Sequence, residues 1–151
     1  MMFSTKAEYG VRVMAHLARN AGDDGAPISL SAIAEAEGLP LAYLEHLVAR
    51  LRRADLVESR RGAHGGYTLA RSPAEITMAE VVRALEGEIA PIECITSDPD
   101  GSLVCAREVA HDPCPTKLMW TRVQGSIVRT LNEMTLAELA GSPKRKALAA
   151  K

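Results

Sequence analysis

The sequence predicts a mainly α-helical fold with one small β-hairpin and a long helix near the carboxyl end. Three observations predict it. Apolar residues recur three and four positions apart along most of the chain, which is the spacing of one helix face. Between residues 55 and 71 this spacing gives way to two short apolar-containing runs around a glycine-rich turn, which is typical of a hairpin. Aromatic residues make up only 3% of the chain, so we expect a core of Leu, Val, Ile, Ala and Met.

The first three helices have recognisable ends. The first is expected to begin at Thr5, with Glu8 completing a capping box. Ser29 is placed to cap a second helix that ends at Gly38, and Pro40 suits the first position of a third. The inward-facing residues of the third helix are expected to be Leu44, Leu47, Val48 and Leu51. Two short helices joined by a tight turn form a helix-turn-helix pattern.

A β-hairpin follows this pattern directly. Its strands correspond to "LVES" and "YTLA", and Gly65 and Gly66 would allow the chain to turn tightly between them. A helix-turn-helix followed by such a hairpin, or wing, is the winged-helix arrangement. A further helix is predicted over residues 76–87, where Thr77 and Glu80 form a second capping box.

The predicted organisation has four parts. Residues 1–87 form a winged helix-turn-helix domain, 88–115 a cysteine-containing loop, 116–140 a long helix and 141–151 a flexible basic tail. The apolar residues of the long helix that are spaced three and four apart are Trp120, Val123, Ile127, Leu131 and Met134. This spacing is typical of the seam between paired helices, so we interpret 116–140 as a dimerisation helix.

All three cysteines, Cys94, Cys105 and Cys114, fall in one segment rich in Asp, Pro and Gly that reads as loop. An odd number cannot all pair within the chain, and no secretory signal or membrane span is recognisable, so a cytoplasmic location is predicted. In that compartment clustered thiols indicate metal or redox chemistry. Zinc sites usually show close C-x-x-C pairs, which are absent here. Inert buried cysteines, or a thiol switch that oxidises Cys94 to Cys105 or Cys114, are the alternatives.

Nucleic-acid binding would have to rest on a local basic patch, because the net charge is only −1. The arginines of the third helix and the hairpin are Arg50, Arg52, Arg53, Arg60 and Arg61. A solvated helix face is the alternative interpretation, but Arg60 and Arg61 stand where a wing would meet phosphates. Tyr43 and Glu45 are candidates for base contact. Their alternatives are packing at the core edge for Tyr43 and pairing with Arg50 for Glu45.

Three blocks of the sequence resemble the bacterial IscR/NsrR family. They are "STKAEYGVRVMAHLA", "LSAIAEAEGLPLAYLEHLVARLRRADLVESRRGAHGGYTLAR" and "ITMAEVVRALEG", followed by the three cysteines and by Trp120 on the long helix. The resemblance runs from Met1 to about Leu139. It implies a dimeric winged-helix transcription regulator whose DNA binding is controlled by an iron–sulfur cluster. No nucleophile–base constellation or phosphate-loop motif suggests an enzyme.

The resemblance also implies which residues act. DNA contacts are expected from Ser29, Ser31, Tyr43, Glu45, His46, Arg50, Arg60, Arg61, Gly65 and Gly66. The three cysteines are expected to hold the iron of the cluster, with [2Fe-2S] favoured over [4Fe-4S]. The implied partners are a palindromic double-stranded operator and a second copy of the chain. Iron–sulfur donor proteins are further candidates, and no membrane is involved.

The cysteine segment departs from the family pattern. The gaps between its cysteines, residues 95–104 and 106–113, are longer than in the commonest members. Lys117 stands where one branch has a ligand histidine, and a protonated lysine is a poor iron ligand. Glu8 of the partner subunit and His111 are the candidates for the fourth ligand. Their alternatives are the capping box for Glu8 and an exposed loop histidine for His111.

The predicted function is regulation of iron–sulfur cluster assembly genes. The alternative within the family is a repressor that senses nitric oxide or redox state. An iron–sulfur carrier or electron-transfer protein is an alternative of a different class. It would need the cysteines but not the wing arginines, and it should not bind DNA.

Overall fold

The computed structural model describes residues 3–20, 25–97, 103–107 and 114–141. Its helices are α1 (Thr5–Asn20), α2 (Leu30–Glu37), α3 (Leu41–Arg53), α4 (Met78–Glu86), α5 (Lys117–Glu133) and α6 (Leu136–Gly141). The strands β1 (Val57–Arg60) and β2 (Gly66–Leu69) form one antiparallel hairpin, and β3 (Ile95–Ser97) and β4 (Leu103–Cys105) form another. A single 3-10 turn, Pro73–Glu75, precedes α4. Within these ranges, no helix has the length and apolar character needed to cross a membrane.

One hydrophobic core joins the first four helices, the β1–β2 hairpin and α6, with α1 at its centre. The fully buried large side chains include Met14, Leu17, Ile33, Leu44, Leu47, Leu51, Leu85 and Leu136. Burying each such side chain contributes about 1.5–3 kcal/mol. Gly10 of α1 lies directly against Leu85 of α4, and a Cβ at position 10 would overlap the leucine side chain. The close packing of these two helices therefore depends on the missing side chain.

The helix-turn-helix forms as predicted. The Ser29 hydroxyl accepts a hydrogen bond from the Ala32 backbone N–H at 3.2 Å and so caps α2. Gly38 ends α2 in the left-handed conformation, with φ 66°. The third helix begins at Leu41, one residue later than predicted, because Pro40 is extended and precedes the first turn. The four predicted inward-facing residues of α3 are all buried.

Backbone hydrogen bonds connect the wing to the segment just before α2. In the β1–β2 register Val57 lies opposite Leu69. Ile28 exchanges two backbone hydrogen bonds with Tyr67 of β2, at 3.0 and 2.8 Å. Gly66 makes this contact possible, because a Cβ there would overlap the Ile28 carbonyl. The predicted winged-helix fold is thus confirmed, and its wing has a fixed position relative to the helix-turn-helix.

Of the two predicted capping boxes, one is present. Thr77 and Glu80 hydrogen-bond reciprocally at the start of α4, as predicted. The box predicted from Thr5 and Glu8 is wrong, although α1 does begin at Thr5. Ser4 precedes the helix instead, and its carbonyl accepts from the Glu8 backbone N–H at 3.3 Å. The carboxylate of Glu8 takes no part in capping and pairs with Arg12 on the exposed face of α1 instead.

The continuous helix predicted over residues 116–140 is also wrong, because Met134 adopts an extended conformation between α5 and α6. Two backbone hydrogen bonds hold this break. The Met78 N–H donates to the Met134 carbonyl at 2.9 Å, and the Leu136 N–H donates to the Ile76 carbonyl at 2.8 Å. Leu131 and Met134, predicted on the dimer seam, pack against the core of the N-terminal domain. Spacing alone does not distinguish a partner helix from the chain's own domain.

The cysteine segment contains more structure than the predicted loop. Ile95 lies opposite Cys105 in the β3–β4 hairpin, and both are buried. The strands are only three residues long and lie among Asp, Pro and Gly, so their sequence signal is weak. The hairpin fixes the backbone next to two of the three cysteines.

Glu86, at the end of α4, forms hydrogen bonds and an ion pair with residues at the start of α1. Its carboxylate accepts hydrogen bonds from the backbone N–H and the hydroxyl of Ser4 and pairs with Lys6 Nζ at 3.5 Å. Burial alone would raise the pKa of Glu86, but these bonds outweigh it and hold that pKa below its ordinary value of 4.5. A carboxylate with a lowered folded-state pKa stabilises the fold above its unfolded pKa. That stabilisation is lost as the pH falls through the folded pKa.

We expect Glu86→Gln to lower the free energy of unfolding by about 1–2 kcal/mol at pH 7. The difference from wild type should shrink as the pH falls below 4.5, because the wild-type carboxyl becomes protonated. Urea unfolding at neutral and acid pH measures both values. Glu35→Gln, at an exposed position on α2, is the control and should change neither. A difference that stays equal at both pH values would contradict the assigned role.

Candidate nucleic-acid interface and cysteine site

The outer face of α3 carries most of the predicted base-reading residues. Glu45 and His46 are exposed, and no ion pair in the described part of the chain involves Glu45, so the alternative pairing with Arg50 is not found. Tyr43 is half-buried, and its ring packs edge-on against Tyr9 of α1 with centroids 5.7 Å apart. The alternative placement of Tyr43 at the core edge is therefore observed. The Tyr9–Tyr43 contact leaves the side chains of Glu45 and His46 exposed.

The arginines divide into two groups. Arg50 donates to a backbone carbonyl at the end of α4 at 3.4 Å, and Arg52 donates to Ser59 Oγ of β1 at 3.3 Å. Both therefore help to hold α3 against its neighbours. Arg60 and Arg61 are exposed at the end of β1 and the start of the turn, and within the described residues neither side chain has a hydrogen-bond or ion-pair partner. They are the charges left available to a ligand.

The glycines and serines of the predicted interface lie where the wing meets α2. A Cβ on Gly65 would overlap the Arg60 carbonyl, and one on Gly66 would overlap the backbone just before Ser29. Ser29 is occupied as the cap of α2, whereas Ser31 is exposed in its first turn. The glycines thus act by allowing close backbone approach. The structure brings the start of α2 and the base of the wing together.

This arrangement has the chemistry needed to bind a nucleic acid. An α-helix with its side chains is about 10–12 Å wide and fits the major groove of B-DNA. Unpaired arginines on an adjacent hairpin can contact phosphates, which position a protein on the duplex. Exposed Glu45 and His46 on the helix offer groups that can reach base edges.

The three cysteines come together beside the start of α5. Cys94 precedes β3, Cys105 ends β4, and Cys114 lies three residues before α5. The Ala106 backbone N–H donates to the Cys94 carbonyl at 2.8 Å, so Cys94, just before β3, lies beside the end of β4. Cys105 is only 6% exposed, the other two are partly buried, and all three thiols are free.

The thiols of Cys105 and Cys114 influence each other. A hydrogen bond from the Thr116 hydroxyl, 3.5 Å from Sγ, and bonds from backbone N–H groups at the start of α5 hold the pKa of Cys114 below its ordinary value. The hydrogen-bonded Cys105 thiol acts in the same direction. For Cys105 itself, a bond from the Arg107 N–H lowers the pKa, but burial and the neighbouring Cys114 and Cys94 raise it overall. Of these two cysteines, Cys114 is therefore the one that more readily becomes a thiolate.

The thiols do not form a site for one ion. Among the described residues, no three His, Cys, Asp or Glu side chains converge closely enough to hold a single metal ion. Electrostatic contact nevertheless links Cys105 to both other cysteines. A polynuclear group, with its ligands spread over more than one metal centre, is compatible with such a set.

The two candidate fourth ligands are Glu8 and His111. Glu8 is exposed on α1, and its carboxylate accepts from Arg12 Nε at 2.8 Å. His111 lies outside the described residues. The sequence prediction overlooked Thr116, which hydrogen-bonds Cys114. A cysteine just ahead of a predicted helix was the available signal, because helix amino ends stabilise thiolates.

Comparison with known proteins identifies the family. Residues 3–142 match the family model Rrf2, described as an iron-dependent transcriptional regulator. The HTH-type transcriptional regulator CymR of Bacillus subtilis is 39% identical over 141 residues, which cover 93% of this chain and 90% of CymR. The solved structure of CymR, the global cysteine regulator of B. subtilis, has a TM-score of 0.73 at 38% identity and covers 93% of this chain and 96% of that one.

A second solved structure, that of T. potens IscR, has a TM-score of 0.75 at 37% identity. It covers all of this chain and 94% of IscR. The likeness to the IscR-containing family predicted from the sequence is thereby confirmed, and these relatives are regulators and not enzymes. The chain belongs to the Rrf2 family of helix-turn-helix transcriptional regulators.

Proposed function

We propose that this chain is a dimeric DNA-binding transcription regulator whose operator affinity is controlled by an iron–sulfur cluster held by Cys94, Cys105 and Cys114. The observation that carries the proposal is the meeting of three free thiols beside α5, in a chain whose wing also presents unpaired arginines. Its likeness to IscR-type regulators favours iron–sulfur cluster assembly genes as targets. A repressor that senses nitric oxide or redox state is the alternative within the same chemistry.

The residues present fit such a cluster. Cysteine thiolates are the usual ligands of iron–sulfur clusters, and none of these three is committed to a disulfide. When bound, the cluster would supply a centre whose oxidation and loss respond to the cell's chemistry. Cys94 and Cys105 are positioned by backbone pairing in the β3–β4 hairpin, and Cys114 by the start of α5. Holding all three would tie the hairpin to α5, and [2Fe-2S] is the proposed type.

The helix α5 offers a route from the cysteines to the DNA-binding domain. It begins three residues after Cys114, packs along α4 and continues through the break to α6, which packs on α1. A change in how the cysteines hold the start of α5 would therefore act on helices of the winged-helix core. The same helix carries the exposed apolar residues Met119 and Val123, which are available to a partner subunit.

The fourth ligand is proposed to be Glu8 of the partner subunit, with His111 as the second candidate. The Glu8–Arg12 pair is exposed, with 57% and 48% of the two side chains accessible. Such a surface pair contributes only about 0–1 kcal/mol, so it does not oppose recruitment of the carboxylate. A cross-subunit ligand would couple the cluster to the angle between the two winged-helix domains.

We expect Glu8→Ala to lose the wild-type absorption spectrum after anaerobic reconstitution and His111→Ala to retain it. Iron and sulfide per monomer are measured alongside the spectra, because an oxygen ligand tunes the site while the thiolates hold most of it. Glu35→Ala, another exposed glutamate, is the control. Unchanged spectra in both Glu8→Ala and His111→Ala would reject both candidates.

DNA binding is proposed to combine phosphate contact by Arg60 and Arg61 with base contact by Glu45. We expect Arg60→Ala to weaken binding to all sequences and to reduce the slope of log affinity against log salt by about one. Fluorescence anisotropy with palindromic fragments at several salt concentrations measures this. Arg129→Ala, an exposed arginine on α5, is the control and should leave the slope unchanged.

Glu45→Ala provides the contrast in the same assay, because a carboxylate that accepts from cytosine changes sequence preference more than overall affinity. An unchanged ranking of operator variants would exclude base reading by Glu45. Unchanged salt dependence in Arg60→Ala would remove that arginine from the interface.

A regulator that uses the thiols without a cluster is the second candidate. The hydrogen-bonded Cys105 and Cys114 thiols favour it, as does the likeness to CymR, a global cysteine regulator. Hydrogen peroxide would oxidise the two thiols to a disulfide and be reduced to water. Reconstituted protein would then hold no iron or sulfide, and peroxide would change operator affinity reversibly.

A further inference from the structure

A cavity of about 300 Å³ lies between α4, α5 and the β3–β4 hairpin. Its walls include Arg83, Glu88, Ile89, Leu103, Gln124 and Val128. None of the cysteines and none of the proposed DNA-contacting residues lines it. The cavity therefore belongs to neither site described above, although it adjoins the elements that connect them.

Gln124 lies in the wall of this cavity, and its amide group is buried in the protein. The side chain is only 3% exposed, and its Nε2 donates to the Ile89 carbonyl at 2.9 Å. Its Oε1 is buried and has no hydrogen-bond partner among the residues that the structure describes. This oxygen is closed to a water-sized group in the cavity, so a ligand would be held by the other residues of the wall.

The charged residues at the cavity have complementary signs. Arg83 and Glu88 are both exposed, and in the described ranges neither forms an ion pair. A guanidinium suits a carboxylate and a carboxylate suits an ammonium group. The apolar side chains of Ile89, Leu103 and Val128 form the rest of the wall. One small molecule that carries both charges and a short side chain would match all of these features.

We propose that the cavity binds a small zwitterionic α-amino acid. Its carboxylate would pair with Arg83, and its ammonium group would pair with Glu88. The volume is at the lower end of the range for ligand pockets, which favours a short side chain against Leu103 and Val128. Such a ligand would contact α4 and α5 together. This inference goes beyond the proposed function, because it requires neither the cluster nor the operator.

Isothermal titration calorimetry of the reconstituted full chain with L-alanine and L-serine tests the proposal. Propionate and ethylamine, which each carry one of the two charges, are the ligand controls. We expect saturable binding of the amino acids that is about tenfold or more tighter than that of either control. Absence of amino-acid binding at millimolar concentration, or equal binding of the single-charge compounds, would overturn the proposal.

Two variants locate the binding. Arg83→Gln and Glu88→Gln each remove one of the two exposed charges that line the cavity. Each should weaken amino-acid binding by about tenfold or more, whereas Arg129→Gln, outside the cavity, should not. The thermal unfolding midpoint of each variant without ligand reports whether it folds. Wild-type affinity in both folded cavity variants would show that the amino acid binds elsewhere.

Discussion

Cys105→Ser is expected to reduce the iron and sulfide content of anaerobically reconstituted protein from near full occupancy to about a tenth or less. Cys105 is the most buried of the three cysteines; its thiol is hydrogen-bonded to Cys114 and is influenced electrostatically by Cys94. Serine keeps its size but offers a hydroxyl, which is a far weaker ligand for iron than a thiolate. Cys94→Ser and Cys114→Ser should have the same effect, because the sequence contains no fourth cysteine to replace a lost thiol.

The control for these variants is Ala106→Ser, which adds a hydroxyl at the exposed neighbour of Cys105 and removes no thiol. Iron and acid-labile sulfide are determined per monomer, together with the visible absorption spectrum. Near-normal iron and sulfide in any one cysteine variant would show that this cysteine does not hold the cluster.

Val123→Asp is expected to weaken dimerisation by roughly a hundredfold or more. Val123 is 39% exposed in the single chain and lies on the same face of α5 as Met119, which is 51% exposed. Burying a valine contributes about 1.5 kcal/mol or more, and two copies meet in a symmetric dimer. An aspartate there would be an unpaired charge at the interface. Ile127 is already partly buried within its own chain, so Val123 gives the cleaner test.

Sizing chromatography with light scattering over a range of protein concentrations measures this effect. Arg129→Asp introduces the same side chain on a different face of α5 and should leave the dimer intact. A Val123→Asp protein that remains dimeric at the same concentrations as wild type would place the interface elsewhere.

The sequence predicted those elements whose signals are local. Ser29, Gly38 and the Thr77–Glu80 box end or begin helices through contacts within a few residues. The β1–β2 hairpin was predicted from the glycines in its turn. The break at Met134 was not predicted, because it depends on a hydrogen bond from Leu136 to Ile76, which lies far away in the chain. Helical spacing continues through the break, so the pattern alone favoured one long helix.

The candidate sites were predictable to different degrees. The grouping of the cysteines was visible in the sequence, and in the structure the Cys105 and Cys114 thiols are hydrogen-bonded while Cys94 influences Cys105 electrostatically. The hydrogen bond from Arg50 to a backbone carbonyl of α4 could not be predicted, because it forms only when α3 packs on α4. The burial of Gln124 could not be predicted from the sequence either. A glutamine in an amphipathic helix normally faces solvent, and only the tertiary structure shows it buried.

Control of operator affinity by the cluster is the central proposal. The most direct test compares wild-type protein with and without the reconstituted cluster, under anaerobic conditions and at fixed salt. The DNA is a palindromic operator that the wild-type protein has selected from a random library, and the readout is fluorescence anisotropy. We predict that the two wild-type forms differ in Kd by about tenfold or more. The Cys105→Ser variant should have the same Kd with and without the reconstitution treatment. Equal Kd values for the two wild-type forms, with iron and sulfide present in only one, would contradict the proposal.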